Sequence, residues 1–298
     1  MSVEPQLNLQ SQLARLIASS SVELSVSDGR RIDNCRIGLR PGTSVYVHIS
    51  RGNSYGEVIS TSQQLTRLGL NPVPHIAARY LTGFNEFDNF LRSVRGDVGS
   101  EQLFLIAGDC DAPTGPYCSS LQLIKTGLFE KHGFRRIGIA GYPEGHPVIS
   151  RSTLDKALLL KIAMLERIGV QPYVVTQACF DGATIVAWIK RIRQMGMKVP
   201  IRIGLAGPAR RATLAKFALR YGISGSVRAQ ARNHSGLHLG AHPERIISDL
   251  CRRDFTNLGP VGLHFFSFGG GLRTSKWLSV LVERYANLHE IHVCKAEE

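Results

Sequence analysis

Eight short apolar runs rich in β-branched residues recur along this 298-residue chain, each followed by a polar or Gly/Pro turn and then by a helical pattern. In order they are SVELSV from Ser21, SVYVHI from Ser44, PVPHIA from Pro72, LFLIAGD from Leu103, RIGIAGYP from Arg136, YVVTQ from Tyr173, VPIRIGLA from Val199 and VGLHFFSF from Val261. Runs of this length, apolar on both faces, suit strands of a covered parallel sheet. The segments between them read as helices. NEFDNFLRSV carries apolar residues at 84, 87, 90, 91 and 94, the spacing of one buried helical face. STLDKALLLKIAMLERIG begins with a Ser or Thr cap and stops at Gly169; DGATIVAWIKRIRQMG opens on Asp181 and stops at Gly196; ARRATLAKFALRYG ends at Gly222.

Strand then helix, eight times over with no long polar linker, predicts a closed (β/α)₈ barrel, a TIM-type α/β fold in a single domain over residues 1–298. An open doubly wound sheet is the rival, and eight units in about 250 residues fit closure better. Residues 1–18 are expected to add an N-terminal helix or extension, while residues 27–43 and 224–244 look rich in loop.

Charge narrows the choice of ligand. Thirty-six Lys and Arg against 23 Asp and Glu leave +13, a balance that favours anionic ligands. Basic residues are scattered in pairs such as Arg210-Arg211 and Arg252-Arg253, so no specific nucleic-acid face is expected. The six cysteines, at 35, 110, 118, 179, 251 and 294, form no CxxC pair, which argues against structural zinc and for reduced cytoplasmic thiols; no metal site is expected. The start MSVEPQLNLQSQ lacks a basic stretch followed by an apolar core, and no apolar run approaches about 18 residues, so neither export nor membrane spanning is expected. Neither GxGxxG after a strand nor a P-loop is present; SFGGGLR after the last run is glycine-rich, which alone is a weak phosphate signal.

In a (β/α)₈ barrel the C-terminal strand ends converge on one mouth. The residues falling there are Glu23, His48, His75, Asp109, Tyr142, Glu144, His146, Gln177 and Ser267 or Phe268. Each has a plain reading beside a functional one. Glu23 sits in a strand without an edge, where a charge needs a partner or a job. The plain readings make Asp109 a loop cap, His75 a satisfied core histidine, Gln177 a backbone partner, Glu144 a loop brace and Cys179 a packing residue.

Together, PHIAAR (74–79), AGD (107–109), AGYPEGHP (140–147), VVTQACFD (174–181), AKFA (215–218) and LHFFSF (263–268) resemble the methylenetetrahydrofolate reductase family, in the family's order over about 250 residues. YPEGHP and TQxxFD carry most of the specificity. The resemblance implies a (β/α)₈ barrel that interconverts 5,10-methylenetetrahydrofolate and 5-methyltetrahydrofolate, with FAD as hydride carrier and NADH or NADPH as donor. It implies that Glu23 is the general acid, that Asp109 orients the pterin and tunes the flavin, and that Gln177 hydrogen-bonds the pterin. Phe217 then matches the aromatic that packs on folate and nicotinamide, with Phe268 in the substrate wall. His75, Ala107, Gly108, Asp109, Tyr142, His146, Asp155 and Lys161 fall at flavin-contact positions.

Departures from the family pattern are specific. Ala107 replaces the usual basic residue before Gly-Asp, Ala178 and Cys179 replace paired aromatics, His48 stands where a small hydroxyl residue is usual, and LSVSD replaces the prolines after the glutamate. Loss of one cationic flavin contact weakens FAD by about 1.5–3 kcal/mol. A flavin-independent folate reductase using NAD(P)H directly, and a non-catalytic folate- or nucleic-acid-binding barrel, are therefore the competing expectations. NADH against NADPH and the physiological direction stay open, as does the oligomeric state, a homo-oligomer included.

Overall fold

The computed structural model describes residues 3–29, 32, 39–220, 243–253 and 258–296. Eight parallel strands pair strictly in chain order and close on themselves. They are β1 Ser21–Ser25, β2 Ser44–His48, β3 Asn71–Ala77, β4 Gln102–Ile106, β5 Arg136–Gly141, β6 Gln171–Cys179, β7 Ile201–Ala206 and β8 Val261–Phe266. Each falls on one of the eight apolar runs, and β1 completes the ring by pairing Ser21 with His264 and Val22 with Phe265 of β8. The (β/α)₈ barrel expected from the repeat is thus the fold.

Helices alternate with the strands. α1 (Val3–Ala18) precedes β1 and packs on the last two helices; α2 (Val26–Gly29) is a single turn inside the stretch expected to be loop. α3 spans Tyr55–Arg67, α4 Phe84–Ser93, α5 Ser120–Lys125, α6 Leu128–Lys131, α7 Arg151–Arg167, α8 Gly182–Gln194, α9 Arg211–Arg220, α10 Pro243–Arg252 and α11 Gly271–Ala296. Most of the long connection expected before α10, residues 221–242, lies outside the described residues, as does Gly222.

Alternation along each strand divides the apolar residues into two layers. Val22, Leu24, Val45, Val47, Leu103, Leu105, Ile137, Ile139, Ile201 and Ile203 pack outward against the helices in the main core. Tyr46, Val73, Phe104, Tyr173 and Val175 form a separate cluster filling the barrel interior. Tyr46 donates its hydroxyl proton to Tyr173 across that interior at 3.0 Å, so the two buried hydroxyls are paired. Gly138 makes room for them: a Cβ there would stand 2.7 Å from the Tyr173 ring and 2.8 Å from Phe104.

One irregularity positions the mouth. Between Val175 and Ala178 of β6 three steps of chain oppose two on β7, from Arg202 to Gly204, a bulge of one residue. The Gly204 N–H, which would otherwise lose its ladder partner, donates to Thr176 Oγ1 at 2.8 Å. Gln177 is the residue the bulge displaces, and it stands at the rim.

Candidate active site

Glu23, His48 and His75 come from three adjacent strands and meet at the mouth. Glu23 Oε2 lies 3.8 Å from His75 Nε2 and 4.0 Å from His48 Nδ1. The carboxyl side chain is only 12% exposed, His75 2%, and His48 31%, so the cluster is open toward solvent on the His48 side. Burial lifts the Glu23 carboxyl to about 8, the charge of Asp28 adding to the effect. Burial likewise holds His75 well below the usual imidazole range, with His48 and His264 contributing. His75 is walled by Phe104 and Tyr46, with ring centroids at 4.8 and 5.9 Å. Neither of its ring nitrogens has a hydrogen-bond partner, so it is not the satisfied core histidine of the plain reading. One carboxylate oxygen and two ring nitrogens all within 4.8 Å also make this the metal-capable group among the described residues, in a chain where none was expected.

Gln177 comes from β6, and the aromatic residues come from the end of β8 and from α9. The buried Oε1 of Gln177 has no partner, so pairing with backbone does not account for this acceptor. Phe266 stacks on Phe268 at 5.5 Å and Phe268 on Phe217 of α9 at 4.2 Å, a run of three near-parallel rings. Ala178, Phe180, Ala206 and Leu214 pack behind them. Cys179 is buried and its thiol pushed up, chiefly by that burial, which fits packing and not attack.

The β4 end carries Ala107, Gly108 and Asp109. Gly108 has φ +96°, in the left-handed region, and a Cβ there would meet the Tyr80 ring at 3.2 Å. Tyr80 donates to Asp109 Oδ1, a contact that sequence reasoning missed; its only signal was an aromatic residue five positions beyond His75. Where the family pattern has a cation, Ala107 accepts from the Arg79 N–H at 2.8 Å. The Arg79 guanidinium does not fill the gap, because it donates to the carbonyls of Cys110, Asp111 and Cys118 and so braces the loop.

After β5, the Tyr142 and His146 rings meet edge to face at 5.8 Å. Glu144 accepts from the Phe180 N–H at 3.2 Å, tying this loop to the β6 loop as a brace. Lys161, on α7, is half-buried, and burial brings its ammonium down to about 8. Asp155 on the same helix is buried and gripped by Arg191 of α8 through both carboxylate oxygens, so the structure gives this expected flavin contact a partner between helices. Asp28, also missed, takes the Ser25 N–H at 3.0 Å and the Gly271 N–H at 3.1 Å, joining the end of β1 to the start of α11.

Fold and site together define a (β/α)₈ barrel with a polar, aromatic-walled mouth. No family model matches the chain. Dihydropyrimidinase from Brevibacillus agri NCHU1002 aligns over 63% of this chain and 45% of its own, with 14% identity and a TM-score of 0.37. D-hydantoinase from a Bacillus sp. AR9 aligns over 63% and 46%, with 14% identity and a TM-score of 0.37. A protein named as a deoxyribose-phosphate aldolase, from Toxoplasma gondii ME49, aligns over 92% and 97%, with 11% identity and a TM-score of 0.45. The alignment thus spans less than half the length of the first two proteins. At these scores the likenesses carry no argument, and the fold rests on the chain's own strand order. Among the described residues no helix is long and apolar enough to cross a membrane.

Proposed function

We propose that the chain is a flavin-dependent oxidoreductase of the methylenetetrahydrofolate reductase type, interconverting 5,10-methylenetetrahydrofolate and 5-methyltetrahydrofolate with NADH or NADPH as donor. The observation that carries the reading is the unpartnered, buried Gln177 Oε1, with the Phe266, Phe268 and Phe217 stack in support. A flat heteroaromatic ring with N–H donors satisfies both at once: it stacks on the phenyl faces and donates to the amide oxygen. The resemblance of the sequence motifs to the reductase family selects a pterin from that class.

Part of the expected flavin-contact set supports FAD in this reading, while Asp155, held by Arg191, does not. Lys161 is a half-buried cation with its ammonium brought down by burial, and Tyr142 and His146 offer a ring edge and face. When bound, FAD supplies a hydride relay between nicotinamide and folate. Glu23 is the proton donor to the nitrogen that departs when the methylene bridge opens; burial lifts its carboxyl to about 8, so it holds that proton near neutral pH. Asp109, oriented by Tyr80, faces the pterin, and Phe217 offers its ring to the folate benzoyl group. Ala107, where the Arg79 guanidinium is held by loop carbonyls and does not replace the usual cation, favours weak FAD binding and keeps the flavin-independent reductase as second reading.

The visible spectrum of purified protein before and after anaerobic NADH tests the proposal. Flavin bands that bleach and return on adding methylenetetrahydrofolate are expected. A colourless protein that turns the folate over without added FAD would replace the first reading by the second; steeply salt-dependent RNA binding without turnover would replace both. Glu23→Gln is expected to lower kcat by about 10²-fold or more, the scale of general acid catalysis, and undiminished turnover would remove Glu23 from that role.

A further inference from the structure

We propose that Glu23, His48 and His75 form a binding site for a divalent first-row transition metal of the zinc or ferrous class. The proposal goes beyond the folate reading and does not rest on it.

Three observations carry it. The first is ligand geometry. A carboxylate oxygen and two imidazole nitrogens lie within 4.8 Å of one another, with Glu23 Oε2 at 3.8 and 4.0 Å from the two rings. Ligands that share an ion at about 2.0–2.2 Å stand roughly 3–3.5 Å apart, so closure needs side-chain shifts on the order of 1 Å. The second is an orphan. His75 is 1% exposed and neither ring nitrogen has a partner, an arrangement a core histidine avoids by bonding a carbonyl. A cation gives Nε2 a bond at the one side where a carboxylate already faces it.

The third is the frame. The three side chains project from adjacent hydrogen-bonded strands, Val22 to Ser25 of β1 pairing with Val45 to His48 of β2, and Ser44 to Val47 of β2 with Asn71 to Pro74 of β3. Their spacing is therefore fixed by the barrel and not by a loop. Phe104 and Tyr46 keep the His75 side dry, while His48, 31% exposed, leaves an entry path. Two imidazoles and one carboxylate suit zinc, iron, cobalt or nickel and not magnesium or calcium, which take oxygen ligands. Three protein ligands leave further coordination positions toward the mouth for water or an oxygen of a substrate. A metal there displaces the proton that the folate reading assigns to Glu23, so the two occupancies alternate.

The test is titration of the full-length, chelator-stripped protein with Co²⁺ and Zn²⁺ by calorimetry, with the visible spectrum of the cobalt form. One equivalent is expected, with d–d bands of a four- or five-coordinate site, and no binding of Mg²⁺ at the same concentration. His48→Ala and Glu23→Gln are each expected to weaken binding at least tenfold, with circular dichroism unchanged. His48 sits half-exposed at a strand end, so that variant stays informative even where a change at buried His75 prevents folding. Absence of Co²⁺ binding, binding left unchanged in both variants, or equal binding of Mg²⁺ overturns the proposal. The titration uses neither folate nor flavin, so its failure and that of the reductase reading are separately visible.

Discussion

A Cβ added at Gly204 would come 2.4 Å from the Thr176 carbonyl oxygen, 2.5 Å from the Phe266 ring and 2.7 Å from the Gln177 carbonyl oxygen. Two of those neighbours are backbone and cannot rotate away. Gly204→Ala is therefore expected to lose about 3 kcal/mol, the upper part of the usual range for overpacking, read from urea unfolding. Counting to the strand ends placed Glu23, His75 and Gln177 at the mouth. Counting could not show which of them are paired: Tyr80 with Asp109 and Arg191 with Asp155 are 29 and 36 residues apart and meet only through the fold. His48, visible at a strand end, gained its meaning only from its distance to Glu23.

Helix ends were legible because they are local. Asp181 before Gly182 was expected to cap α8, and its carboxylate accepts from the Ala183 and Thr184 N–H groups at 3.4 and 2.9 Å. Asp181→Ala is expected to cost about 1–2 kcal/mol, seen as a lower urea midpoint with an unchanged slope. At α7 the expected Ser or Thr cap falls earlier than the quoted segment, on Ser150, whose Oγ accepts from Thr153 N–H at 3.2 Å. The β6 bulge had no comparable signal, since Thr-Gln-Ala-Cys contains no glycine or proline to mark it. The pairing of α7 with α8 through Asp155 and Arg191 was equally invisible. Arg191→Met leaves a buried carboxylate alone; because Arg191 is itself 31% exposed, a loss of about 2 kcal/mol is expected, short of that for a sealed pair.

At the scale of the whole molecule the repeat of strand and helix was enough for closure, because each of the eight runs reads the same way and no polar linker interrupts them. The interior that closure creates was not readable, for it brings together residues from opposite ends of the chain. Ser21 Oγ meets His264 Nδ1 at 3.0 Å, and Arg202 donates to Ser21 Oγ at 3.3 Å. Burial, with the charge of Arg202, drives the His264 imidazole down to about 3. Between the ordinary histidine value near 6.5 and that value, the unfolded chain binds a proton here that the folded chain does not. Stability from this group is thus complete above about pH 6.5 and is lost as pH falls toward 3, in total on the order of 5 kcal/mol. The net charge of +13 adds general repulsion in acid, so the wild-type profile alone does not isolate His264. His264→Asn keeps an acceptor or donor near Ser21 and removes the titration. Its urea-derived stability is expected to fall less steeply than that of the wild type from pH 6.5 to 4, and parallel profiles would show that the acid sensitivity arises elsewhere.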